Sequence, residues 1–208
     1  RNKMGYTTDF NGEFQLNKPL SHEHAEYLMK FSETRRMARH PAIAAALSDP
    51  IREAVGLPIG PEGAYFVGGE GFHGQDRDGS IANYNEPPEG QPSLWCQWVP
   101  NEDGTAIEWD GGEKFYNYIE WIEYLVQHFL KPWGYVLNGS VSWSGEEMGD
   151  TGTITIKNNV VKALSSGAEI EEKENRIEVL EKALRKIMDL ANKGDKVYTV
   201  AEKALNDA

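Results

Sequence analysis

A chain of 208 residues with 39% hydrophobic side chains has room for one sizeable core, or for one core plus an appendage. Its formal charge of −12 argues against a surface that neutralises phosphates, so no direct binding to nucleic acid is expected; such a charge more commonly serves solubility, or meets a basic protein. With Cys96 as the only thiol there is no intrachain disulfide and no cysteine-based zinc cluster, which fits a reducing cytoplasm.

No stretch approaches about 18 consecutive apolar residues and no charged-then-apolar leader opens the chain, so neither membrane insertion nor secretion is expected. Met4 followed by GYTTDF reads as a natural start, with Arg1, Asn2 and Lys3 as an extraneous remnant. GYTTDFNGEFQL (5–16) alternates, carries Thr and aromatics, and predicts an opening strand. Ser21 is placed to cap a helix whose stripe of Ala25, Leu28, Met29, Ser32 and Arg36 runs to about Arg39, where His40-Pro41 ends or kinks it.

Residues 41–63 contain four prolines, at 41, 50, 58 and 61, which predict short helical pieces separated by loop. AYFV (64–67) suggests a brief strand, and the Gly, Asp, Asn and Pro-rich passage 68–92 shows no periodicity and predicts a long loop. SLWCQWVP and TAIEWD flank NEDG, a good hairpin signal. In KFYNYIEWIEYLVQHFLKPWGY (114–135), Phe115, Tyr118, Ile119, Ile122, Leu125, Val126 and Phe129 recur at three and four residues and predict a helix from about Glu113 to Leu130. YVLNGSVSW and TGTITIKNNVVKA then read as two further β runs joined by the acidic turn SGEEMGD.

This order predicts an α+β domain over 4–164: a mainly antiparallel sheet with two covering helices, in a split β-α-β or ferredoxin-like arrangement. After Leu164 the composition changes. Ile170, Ile177, Leu184 and Ala191 stand seven apart, with Leu180 and Ile187 at the matching d positions, so residues 168–193 predict a coiled-coil helix that makes the chain a homo-oligomer. The alternative is a helix that packs back on its own domain. A short terminal helix over 197–208, with Thr199 as its cap, completes the chain.

Motifs that carry chemistry are sparse. His22 and His24 at i,i+2 point to different sides of a helix, and with no third ligand they predict no metal. In DRDGS (76–80), Gly79 falls at the fourth position of an EF-hand loop and Pro87 at the twelfth, which argues against calcium. No phosphate-binding glycine loop is in register, so no nucleotide cofactor is expected. Cys96 in LWCQWV reads as a small buried hydrophobe, and Glu146, Glu147 and Asp150 as solvated turn residues. No nucleophile, base and oxyanion set assembles, and the chain reads as a non-enzyme. Tyr116, Trp121 and Tyr124 lie off the helical stripe: either they pack beneath the long loop or the terminal helix, or they form an exposed binding patch.

MGYTTDFNGEFQLNKPL, GLPIGPEGAYFVGG, QPSLWCQWVPNEDGTAIEWDGGEKFY and HFLKPWGYVLNGSVSWSGEEMGDTGTITIKNNVV together resemble an uncharacterised protein family encoded by bacteriophages, especially those of actinobacteria, and by prophages, over residues 4 to about 163. The resemblance implies an accessory protein of the bacterial host cytoplasm that acts by binding a host or anti-phage defence protein, and it supplies no catalytic residue or cofactor. Two alternatives stand beside it. One is a soluble protein that sequesters a small ligand such as a nucleotide signal, using the 68–92 loop and the off-stripe aromatics Tyr116, Trp121 and Tyr124 as its pocket; the other is a virion or assembly component.

Overall fold

A computed structural model describes residues 5–69, 78–190 and 202–206, with the backbone alone at 169, 170, 172, 189 and 190. The chain divides into two units, residues 1–163 and 164–208. The first is α+β. Alternation along β1 (Thr8–Leu16) buries Thr8 and Phe14 and leaves Asp9, Asn11 and Gln15 on the open side. β1 is the middle of an antiparallel sheet that also contains β4 (Trp98–Pro100), β5 (Ala106–Trp109), β6 (Leu137–Gly145), β7 (Thr151–Lys157) and β8 (Val160–Ser165), in the order β4-β5-β1-β6-β7-β8. Thus β5 lies between β1 and β4, and β1 lies between β5 and β6. The backbones of β1 and β6 approach so closely that a Cβ at Gly12 would sit 2.8 Å from the Ser140 carbonyl oxygen, and Gly12 itself has φ of 110°.

α1 (His22–Glu33) starts where the sequence predicts, with the Ser21 hydroxyl accepting from the His24 N–H at 3.3 Å. It ends six residues earlier than expected, at Glu33 instead of Arg39. Thr34 is extended, with its hydroxyl donating to the Lys30 carbonyl at 2.7 Å, and Ala38–Arg39 form β2, paired with β3 (Ile81–Asn83). The buried face is also rotated: Tyr27, Leu28, Phe31 and Ser32 are inside while Met29 is 39% exposed. Two rings outweigh one thioether in buried area, and they fix the face.

The reason the helix stops is visible at Arg36. Its guanidinium is buried over the Phe31 ring at 4.1 Å, donates to the carbonyls of Ala64 and Phe66 at 2.8 and 3.1 Å and to Gln91 Oε1 at 3.3 Å, and has no partner for Nη1. These acceptors take the place of the ladder expected for AYFV, which is a turn and not a strand. Around it the prolines act as predicted, opening α2 (Pro41–Ala44), α3 (Pro50–Ala54) and a 3₁₀ turn at Pro61–Gly63. Asp49 caps α3, pairs with Arg52 at 3.0 Å and accepts the Val67 N–H at 3.1 Å, all buried.

α4 (Tyr118–Leu125) begins five residues later than the predicted Glu113, because Lys114 and Asn117 have φ of 61° and 57°. It continues as a π turn, Val126–Leu130, in which Lys131 N–H bonds the Val126 carbonyl at 2.9 Å. The wider turn re-aims the residues that follow, so Val126, Phe129 and Leu130 are all buried. α1 and α4 supply one side of the core and the sheet the other. TGTITIKNNVVKA, read as one run, is a hairpin: Asn158 and Asn159 at φ of 50° and 65° turn β7 into β8.

In the second unit, α5 (Ser166–Leu190) is one continuous helix. Ile177, Leu180 and Ile187 are 52%, 55% and 47% exposed, Leu184 is half-buried, and Glu178 pairs with Lys182 one turn on. The side chain of Ile170, Thr199 and Ala191 lie outside the described residues, as do residues 1–4; of the expected terminal helix, residues 202–206 are helical. Among the described residues no helix is long and apolar enough to cross a membrane.

Candidate functional site

The three aromatics off the helical stripe do not form one patch. Trp121 is 0% exposed, its indole N–H donating to Ser93 Oγ at 2.7 Å and its ring packed edge-on against Phe31 and Tyr124. Tyr124 is 7% exposed, with its hydroxyl accepting from Gln91 at 3.0 Å and its ring stacked on His128 at 4.1 Å. Only Tyr116, at 48% exposed, reaches solvent. The expected binding patch is therefore corrected to one surface tyrosine and two core residues. The physical reason is that Ser93 and Gln91 bond Trp121 and Tyr124, so segment 91–93 widens the buried face of α4 beyond the stripe.

Tyr116 does line a site. With Pro87, Pro92, Leu94 and Trp95 it borders a cleft of about 490 Å³, flanked by Arg35 and Lys114. A second hollow of about 340 Å³ adjoins it through the shared Trp95, Gln97 and Glu113, and adds Ser32, Glu33 and Asp110. The walls are held by hydrogen bonds rather than by regular ladders. Gln97 donates to the Glu113 carbonyl at 3.0 Å and accepts the Trp109 indole N–H at 3.1 Å, while its own carbonyl takes the Asp110 N–H at 3.0 Å. The Leu94 carbonyl accepts the Arg36 N–H at 2.9 Å, which ties this wall to the end of α1. The cleft is thus a formed surface with a half-buried indole and an exposed phenol.

Its charges are uneven. Arg35 donates to the Tyr84 carbonyl at 3.1 Å and lies over the Tyr84 ring at 4.7 Å, with the Trp95 ring at 6.0 Å. On the other side stand Glu33, Asp110 and Glu113. Loss of hydration in the cleft wall raises the Asp110 carboxyl above the ordinary carboxylate range, against the lowering effect of the Gly112 N–H that it accepts at 2.7 Å.

Several chemical groups elsewhere among the described residues are committed to structure. Burial pushes the Cys96 thiol up to about 12, which removes it as a nucleophile near neutrality. His24 stacks on Trp133 at 4.0 Å with Nδ1 2.9 Å from the Tyr135 hydroxyl, and His128 Nδ1 lies 2.9 Å from the Tyr65 hydroxyl; desolvation lowers both imidazoles. The acidic turn is not simply solvated: Glu146 accepts the Thr7 N–H at 2.8 Å and Asp150 accepts the Tyr6 hydroxyl and, at 3.4 Å, the Trp143 indole N–H. Asp78 of DRDGS bonds Ser80 and pairs with Arg39 at 2.9 Å, while Asp76 and Arg77 lie outside the described residues. Among the described residues no group of three His, Cys, Asp or Glu side chains is arranged to hold a metal.

The sequence did carry one signal for the cleft. In LWCQW, Trp95 and Gln97 alternate with Cys96 and Trp98, which are buried, so Trp95 and Gln97 belong to the outward side. No family model, curated protein or solved structure matches this chain.

Proposed function

We propose that this chain is a phage-encoded, non-enzymatic accessory protein that binds a partner protein through the Trp95–Tyr116 cleft and self-associates through α5. The single observation that carries the reading is the cleft itself. It sets an indole and a phenol beside two prolines on walls already fixed by hydrogen bonds, and rigid aromatic anchors in a formed hollow are what protein contacts concentrate their energy on. The seam of Ile177, Leu180, Leu184 and Ile187 supports a second copy as the cover for α5, since burying it stabilises by about 25 cal/mol for each Å² of apolar surface taken from water. The phage origin, the host or defence protein as partner and the host cytoplasm rest on the family resemblance. The strand order, with β5 inside β1-α1-β4 and β1 inside β5-α4-β6, supports a split β-α-β, ferredoxin-like ancestry extended by β7 and β8.

The test is affinity purification from an expressing bacterial host with the intact chain and with Trp95→Ala/Tyr116→Ala as the paired control. A stoichiometric host protein present with the first and lost with the second is expected; retention by both sinks the cleft assignment. The small-ligand reading draws on Arg35 and Lys114 at the cleft margin. Three carboxylates in the adjoining hollow oppose a phosphorylated ligand, and a rise in melting temperature with a nucleotide panel would reverse that preference.

A further inference from the structure

The cleft is divided by chemistry along its length. Pro87, Leu94 and Tyr116 make one end apolar, whereas Glu33 and Asp110 line the other, with Trp95, Gln97 and Glu113 shared between the two. Both cations at the margin are turned to other work. Arg35 is held by the Tyr84 carbonyl and ring, and the Lys114 side chain lies against the backbone of Gly5, where a Cβ would collide with its stem. Asp110 and Glu113 form no ion pair among the described residues, and Glu33 meets Lys30 at 4.0 Å on the surface.

Resting on the reading of this cleft as the partner-binding site, we infer that its acidic end takes the cationic side chain of an extended, basic partner segment, with a neighbouring proline or aliphatic residue of that segment in the apolar end. A hollow of about 340 Å³ suits a side chain and not a folded element. An arginine there places a planar guanidinium within reach of carboxylates, which accept its parallel N–H pairs, beside a Trp95 ring whose resident cation, Arg35, stands 6.0 Å from its centroid. Asp110 contributes more than an exposed carboxylate would, because its desolvated charge is stabilised by a matching cation. The chain's net charge of −12 draws a basic segment toward the site from a distance, and the same field repels phosphates.

The probe is a display library of random heptapeptides, selected on the intact protein. Enrichment of arginine or lysine one or two positions from a proline or aliphatic residue is expected. Replacing that arginine by citrulline in the strongest selected peptide weakens binding at least tenfold, as read by fluorescence anisotropy. Asp110→Asn with Glu113→Gln erases the difference between the two peptides, at an unchanged melting temperature. Selected peptides without basic residues, or equal affinity of the arginine and citrulline forms, overturn the inference and leave the cleft reading standing. Undiminished binding of the arginine peptide to Trp95→Ala overturns the cleft reading itself, and a library that yields no enrichment overturns both.

Discussion

In α4 and in α5 apolar residues recur at the same three- and four-residue spacing, yet their fates differ. Ile122 and Leu125 are buried with Trp121, Tyr124 and Val126 beside them, while Ile177, Leu180 and Ile187 stand half-exposed between glutamates and lysines. The difference lies in the width of the apolar face. α4 buries a broad apolar face against the core, α1 and segment 91–93 and leaves Glu120 and Glu123 exposed; α5 has a narrow seam and a charged remainder. Order in α4 is therefore a property of one chain. Most helical stability in proteins comes from packing an amphipathic face, so the stability of α5 depends on what covers the seam and, for a second copy, on concentration.

The largest blow to this contrast comes from Trp121→Ala. Loss of a fully buried indole and of its bond to Ser93 costs about 3–5 kcal/mol, and thermal unfolding followed by circular dichroism should show the domain melting many degrees lower; an unchanged melting temperature means α4 is not enclosed as described. Asp49→Ala follows at about 2 kcal/mol, because it takes the buried carboxylate from Arg52, which keeps Glu53 and the Leu57 carbonyl, and leaves the Val67 N–H without its acceptor, and urea midpoints measure it.

A smaller effect comes from pH. The imidazoles of His24 and His128 are lowered by desolvation, so the folded chain favours their neutral forms. Their contribution is fully present above the unfolded value of about 6.5 and is lost as pH falls from there through the depressed folded values. Urea midpoints should decline from pH 7.5 to 5.5, and a double His24→Phe/His128→Phe variant should decline less. The smallest effect on the domain, and the sharpest on assembly, is expected of Leu180→Glu/Leu184→Glu. Sedimentation should show the wild-type mass falling to that of one chain while the domain's melting temperature stays put; a wild type that is one chain at micromolar concentration removes the α5 half of the comparison.

Periodicity and turn chemistry made β1, the β4–β5 hairpin, β6, the start of α1 and the proline-opened pieces readable, since each depends on neighbours in the sequence. What stayed hidden depends on distant partners. Nothing in TRRMARH announces that Arg36 leaves the helix to collect carbonyls from residues 64 and 66, and nothing in KFYN that Lys114 and Asn117 turn left-handed and delay α4. Asn158-Asn159 was a legible two-residue turn, masked by the strand-like residues on both sides. Tyr116 was singled out from sequence, but its neighbours in the cleft come from three separate stretches of chain, and Trp121 and Tyr124 proved to be the packing that supports that cleft from within.

Arg36 bears on how this surface breathes. Residues 61–67 and 91–94 contain little ladder of their own, and Arg36 is an anchor common to both: its guanidinium takes acceptors from Ala64, Phe66 and Gln91, and the same residue's N–H holds Leu94. Segments that share an anchor open together more readily than segments held apart. Their amides should exchange with solvent hydrogen in a common step, slower than the exposed edge of β8 and faster than the centre of the sheet, and Arg36→Met should loosen all of them at once, carrying the wall of the cleft with them.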